Sequence, residues 1–275
     1  MELVDVTEAT HEWDTLTLCP LGDIQAGIEE CDIELLKRTV HEALENDAYF
    51  IGMGDYLDCA SPSNRKSWTA MTKYDSFEKA MDEKMALEED KLMEILEPTR
   101  GRWLGMLTGH HYWQFMDGTT TDTRLADRLE TVHLGKSAMV RVYFEDDSRK
   151  AMCTIWCHHG QGSGDPMLKL RKMAGVFDAD LYLMGHYHQL KPDMLPRLTV
   201  VGPKNALRLL DRNRKLVATG SYLRGYMAGN RKGNVADGTY VEQAVMVPVS
   251  LGSPLVDITP IQEHGVSMVD IRVTI

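Results

Sequence analysis

Ten side chains suited to chemistry stand where short apolar runs of this 275-residue chain stop. They are Asp23 and Gln25 in "TLTLCPLGDIQ", Asp55 and Asp58 in "AYFIGMGDYLD", and His110 and His111 in "RWLGMLTGHHYW". The others are His158 and His159 in "MCTIWCHHGQG" and His186 and His188 in "DLYLMGHYHQ". Six of the ten histidines thus fall in three adjacent or near-adjacent pairs, a distribution that scattered core histidines would not produce. A carboxylate can bridge two cations while imidazoles complete each coordination sphere and leave positions open for water. Two divalent ions roughly 3.5–4 Å apart lower the pKa of a bridging water and clamp phosphoryl oxygens. The residue types therefore suit phosphoester hydrolysis.

Each of the five runs has strand length, is rich in branched or aromatic residues, and passes directly into Gly, Asp or His. Helical patterns lie between them. Asp32 can cap a helix in which Ile33, Leu36, Val40 and Leu44 recur at helical spacing, and Asp165 followed by Pro166 starts another through Phe177. A third runs from Tyr74 to Pro98 with Phe77, Met81, Met85, Leu92 and Leu96 on one stripe. Asp122 is expected to cap a fourth after "DGTTTDT". Alternating strands and helices imply an α/β sheet, whose ligands collect outside the carboxyl ends of the strands. All five polar clusters should then face one rim, with "SPSNRKS" and "DGTTTDT" as loops inserted there. Beyond Leu198 the strands are joined by turns, which suggests a second, largely antiparallel sheet packed on the first.

The formal net charge of −11 argues against a general binder of phosphate backbones. Locally, Lys191 to Lys232 carries ten basic residues against two acidic ones, which suits either a solvated surface or a site for a phosphorylated substrate. No apolar run approaches the ~20 residues of a membrane helix and no leader pattern opens the chain, so a cytoplasmic protein without membrane contact is expected. Five cysteines without a C-x-x-C pair are expected as reduced, buried thiols.

The ordered series D-x-(H), G-D-x-x-D, G-(N)-H, H-x-G and G-H-x-H, spanning roughly Leu16 to Gln189, resembles the calcineurin-like metallophosphoesterases. The "TGSYLRGY" and "YVEQ" tail is closer to phage-type, uncharacterised members, with distant similarity to exonuclease-like ones. The resemblance implies a four-layer α-β-β-α sandwich of two mixed sheets with the metal site at the carboxyl ends of the strands. It also implies one domain over residues 1–275, of which 190–275 are mostly strands of the second sheet. It implies that Asp55 bridges two divalent ions, manganese first among the options of Mn, Zn, Fe and Mg. Asp23, His188 and Gln25 would hold the first ion, and His110, His158 and His186 the second. His111 would protonate the leaving oxygen. His159 would then contact substrate or support a ligand, the reverse assignment of His158 and His159 staying open, and Asp58 would orient a ligand or cap a loop. Two departures stand out, because the family usually has His at Gln25 and Asn at His110. Together they move one imidazole from the first ion to the second, so the first should prefer Mn²⁺ or Mg²⁺ and exchange readily while the second holds Zn²⁺ or Fe tightly.

The function expected is metal-dependent hydrolysis of phosphodiesters, or of monoesters, by metal-activated hydroxide, with a small nucleotide-type substrate preferred over DNA. A nuclease of the same family and an inactive binding module on this scaffold are the alternatives.

Overall fold

The computed structural model describes residues 5–59, 75–202, 204–226, 238–243, 245 and 247–275. The strands are β1 (Asp5–Glu12), β2 (Leu16–Leu21), β3 (Tyr49–Gly52), β4 (Trp103–Met106), β5 (Ser137–Glu145), β6 (Lys150–His158), β7 (Leu181–Met184), β8 (Leu190–Leu195), β9 (Leu198–Val201), β10 (Arg208–Asp211), β11 (Arg214–Thr219), β12 (Leu255–Glu263) and β13 (Val266–Thr274). The helices are α1 (Ile33–Glu45), α2 (Asp75–Leu96), α3 (Thr121–Arg128), α4 (Pro166–Met173) and the single turn α5 (Tyr240–Gln243).

These strands form a six-stranded sheet in the order β1-β5-β6-β7-β11-β8, a five-stranded sheet in the order β13-β12-β2-β3-β4, and the two-stranded ribbon β9-β10. Both large sheets are mixed. β6, β7 and β11 run parallel in the first, and β2, β3 and β4 in the second. One apolar cluster contains Leu18, Ile51 and Val256 of the five-stranded sheet with Val140, Ile155 and Leu183 of the six-stranded sheet, so the sheets pack face to face. A second cluster joins Cys19 and Phe50 to Leu36 and Val40 of α1, Leu92 of α2 and Leu125 of α3. A third joins Trp156 and Tyr182 to Leu170 of α4. The order of layers is therefore α-β-β-α, as the resemblance implied.

The five polar runs do not share one sheet. Three belong to the five-stranded sheet and two to the six-stranded sheet, and of the strands from residue 190 on, β8 and β11 extend one, β12 and β13 the other, while β9 and β10 pair apart. This corrects the expected second sheet built from the tail. Buried runs of four to six apolar residues carry no mark of which sheet they join.

The helices form where expected, with three local corrections. Asp32 caps α1 by accepting from the amide of Leu35, and Asp165 caps α4, which ends at Met173 rather than Phe177. Thr120, not Asp122, caps α3 through a reciprocal pair with Thr123. Met85, Leu92 and Leu96 of α2 are buried, but Phe77 near its start is exposed. The expected loop at 61–67, together with Tyr74, Arg231 and Lys232, lies outside the described residues. All five cysteines are free, and four of them are buried.

Candidate metal centre at the seam of two sheets

The carboxyl ends of β2, β3, β4, β6 and β7 meet where the two sheets abut. Bonds between the sheets lock this seam. The amide of His186, after β7, donates to Asp23 Oδ2 at 2.6 Å, and His159 Nδ1 donates to the carbonyl of Met53, after β3, at 2.7 Å. Asp23, Gln25 and Asp55 are buried, as is His159.

Asp55 is the centre of the arrangement. Its Oδ1 accepts the backbone amides of His110 and, at 2.9 Å, His111. Gly109 makes this approach possible, because a Cβ there would collide with the Asp55 amide and Oδ1. The GHH turn is held from behind by the buried Asp122, whose Oδ2 accepts the Gly109 amide at 3.0 Å. That role was missed in the sequence, where Asp122 reads as an ordinary helix cap. Asp55 Oδ2 faces His159 Nε2 at 3.3 Å on one side and the Gln25 amide nitrogen at 3.3 Å on the other.

Asp55, His110, His159 and His186 each offer one donor atom, and these atoms lie within 4.8 Å of one another. A tetrahedral ion with ligands at ~2.0–2.1 Å separates its donors by about 3.3 Å. His110 Nδ1 and His186 Nδ1 are 3.3 Å apart, matching that spacing, as does the Asp55–His159 pair. The far nitrogens of two rings are tied to carbonyls, His159 to Met53 and His186 Nε2 to Gly162 at 2.9 Å. A donated N–H of this kind fixes the tautomer and turns the other nitrogen's lone pair inward. His159 Nε2 is buried without a hydrogen bond, and so are Asp23 Oδ1 and His188 Nδ1. Such orphans cost about 1–3 kcal/mol each when nothing pairs with them. Their clustering, with this donor set, fits a divalent cation.

On the other side of Asp55 the donors are sparser. Asp23 Oδ1 lies 3.6 Å from His188 Nε2, and Gln25 adjoins through its contact with Asp55. Asp23, Gln25, Asp55, His186 and His188 all have positive φ, between 47° and 71°. A side chain in this left-handed region costs roughly 1–2 kcal/mol per residue, so the turns that aim these groups are strained.

Without a cation, protons occupy the cluster. Burial opposes a charge on His159, but the neighbouring Asp55 carboxylate outweighs it and raises this imidazole to about 9. Burial, against the pull of His159 and with the push of Asp55, lifts Asp23 to about 8. Burial and the nearby imidazoles lower His110 and His188 to about 4, which keeps their lone pairs free at neutral pH.

His158, expected as a ligand in preference to His159, is the one of the ten that turns away. Its ring stacks near Trp156, and its Nδ1 accepts the Gly160 amide at 2.7 Å. The preference is therefore reversed: His159 joins Asp55, His110 and His186. Strand parity explains it, since Cys153, Ile155 and Cys157 face the core between the sheets and Trp156 the outer cluster. His159 continues the inner series and His158 the outer one.

His111 lies beside the cluster, with Nδ1 held by Asp58 Oδ1 at 2.6 Å. Burial opposes its protonation, but Asp58 and Asp55 win and raise its pKa. A cavity of about 550 Å³ is lined by Gln25, Asp55, Asp58, His111, His186 and His188. Trp113 is buried, its indole donating to Asp82 at 2.6 Å, so it is not a stacking platform in the cleft. In the basic segment, Arg212 pairs with Asp180 at 2.9 Å and Arg214 with Asp178.

No family model and no curated protein matches this chain. Among solved structures it is similar to vacuolar protein sorting 29 of Cryptosporidium parvum, at 13% identity and TM-score 0.37 over 94% of this chain and 98% of that one. It is similar to wild-type Vps29 of Entamoeba histolytica complexed with zinc, at 12% identity and TM-score 0.33 over 94% and 99%. It is also similar to GAP50, the anchor in the inner membrane complex of Plasmodium, at 11% identity and TM-score 0.42 over 90% and 82%. The functional reading rests on the side chains of the seam.

Proposed function

We propose that the protein is a metal-dependent phosphoesterase, acting on phosphodiesters, with its centre at Asp55. The observation that carries the reading is the convergence of unpartnered buried donors on both sides of that one carboxylate. Asp55, His110, His159 and His186 would hold one divalent ion, and Asp23, His188, Gln25 and the shared Asp55 a second, with manganese the expected occupant. Bound there, such ions supply Lewis acidity, activating water and neutralising phosphoryl oxygens.

The chain's own groups do the rest. Asp122 and Gly109 hold the GHH turn so that two amides fix Asp55 Oδ1, and Oδ2, facing His159 and Gln25, is the oxygen that would be offered to metal. Met53 and Gly162 keep His159 and His186 in the tautomers that present lone pairs inward. His111 spends Nδ1 on Asp58, so Nε2 is the nitrogen that can give a proton to the leaving alcohol. Its raised pKa keeps it charged nearer neutrality, as that role requires.

The test is to strip the protein of metal, restore Mn²⁺, Mg²⁺ or Zn²⁺, and assay aryl monoesters, aryl diesters, cyclic nucleotides and single- and double-stranded DNA. Diester hydrolysis that requires metal and is lost in His111→Ala and Asp55→Asn supports the reading. Cutting of DNA with a steep salt dependence would favour a nuclease. Tight metal binding without turnover of any ester would make the chain a binding module.

A further inference from the structure

The cavity of the seam continues into a wider one of about 750 Å³, the two sharing Gly164, Tyr187, His188, Gln189, Leu223, Arg224 and Val241 in their walls. Their chemistry differs. The first carries the acids and imidazoles of the centre, whereas the second is walled beyond the shared residues by Val247, Pro248, Val249 and Leu251, among others, without an acid or a lysine among the described residues. Val247 and Val249 are exposed, so the wall presents bare apolar surface next to a polar centre. Its volume lies in the ~300–1,000 Å³ range of small-molecule sites.

Arg224 stands at the joint. It is the only lysine or arginine among the described residues lining either cavity. Its backbone amide donates to the Glu30 carbonyl at 2.8 Å, and its Nη2 reaches the carbonyls of Glu29 at 3.3 Å and Cys31 at 3.4 Å. These contacts anchor the guanidinium from one side, while its Nε is buried with no hydrogen-bond partner. A guanidinium held from one side at a cavity wall is suited to a phosphoryl oxygen.

Resting on the phosphoesterase reading, we infer that the substrate is a small phosphodiester with one bulky, uncharged, largely apolar alcohol. That alcohol sits in the wide cavity, and the phosphate anion pairs with Arg224. Hydrolysis consumes one water: its oxygen bonds to phosphorus, one P–O ester bond breaks, and the departing alcohol takes a proton from His111. A phosphomonoester and a free alcohol result, and no redox partner is needed. A nucleic acid strand fits poorly, because each further nucleotide adds a charge and the described wall offers no further cation.

The test uses the full chain loaded with Mn²⁺ and p-nitrophenyl phosphodiesters whose second alcohol is methyl, octyl or naphthylmethyl. We expect kcat/KM at least tenfold higher for a bulky ester than for the methyl ester, mainly through KM. A preference for naphthylmethyl identifies an aromatic alcohol, and one for octyl an acyl-like chain. Val249→Trp, at an exposed wall position, should collapse that ratio towards one. Arg224→Gln should raise KM tenfold or more for every diester, with Arg224→Lys recovering part of it. Calorimetry with methyl(2-naphthylethyl)phosphinate, which has carbon in place of both ester oxygens, reads the same ordering without turnover: tight to wild type, weakened in Val249→Trp and in Arg224→Gln. Equal kcat/KM for all three esters overturns the inference and leaves the phosphoesterase reading standing. Failure to hydrolyse any diester overturns both.

Discussion

On one side of Asp55 stand three imidazoles, two of them braced by backbone carbonyls, with two of the donor pairs 3.3 Å apart. On the other stand Asp23, one imidazole and a glutamine amide, with Asp23 and His188 3.6 Å apart. The sides share a carboxylate and differ in preparation. On the proposed reading, the braced side would meet a cation with orientation already fixed, while the sparser side would have to recruit water or substrate oxygens to complete a shell. Affinity and exchange should therefore separate between two positions a few ångströms apart, the first suiting borderline metals such as Zn²⁺ and the second harder ions such as Mn²⁺ or Mg²⁺.

Asp55→Asn tests what the two sides have in common. Losing the shared charge should weaken cation binding by roughly 100-fold or more, beyond what outer supporting groups usually cost, and metal analysis after dialysis should find neither ion. If one ion is retained at full occupancy, Asp55 does not bridge. A slightly smaller effect is expected from His159→Asn, which removes a braced donor: roughly 100-fold weaker binding on that side. His158→Asn should leave binding within about threefold, since only an outward ring is lost. Equal effects in calorimetric titrations would erase the distinction between the two histidines.

The protons provide the third test. Between pH 6 and 8 the cation-free protein holds a proton on His159, raised to about 9, and one on Asp23, raised to about 8. A cation must displace them, so affinity rises with pH up to these values and flattens above. Each displaced proton changes affinity by about tenfold per pH unit. Titrations in buffers of different ionisation enthalpy count the protons released, and zero release at pH 7 would refute the account. Gln25→His carries the smallest expected effect, about tenfold tighter binding on the sparse side. The check is whether a second ion then survives dialysis.

Much of this was legible in the sequence because strand ends announce themselves. Apolar runs that break into Asp or His located the polar side chains that meet at the seam, and α1 and α4 were marked by capping aspartates. Pairing between strands was not legible, because a run such as "LYLM" is equally apolar in either sheet. The choice between His158 and His159 was legible in principle. Counting in twos from Cys153 through Ile155 and Cys157 reaches His159, and that parity outranks proximity to the strand end. Asp122 could not be read, since its partner Gly109 is 13 residues away and unmarked.

The left-handed turns at Asp23, Gln25, Asp55, His186 and His188 set two demands against each other. Glycine at any of them would relax the backbone by about 1 kcal/mol and would hold nothing. A library of variants screened only for resistance to heat should therefore enrich glycine at these positions and return folded proteins blind to cations. A screen for metal retention should reject the same changes. Divergence between the two screens would map the ligands one by one, with no substrate in hand.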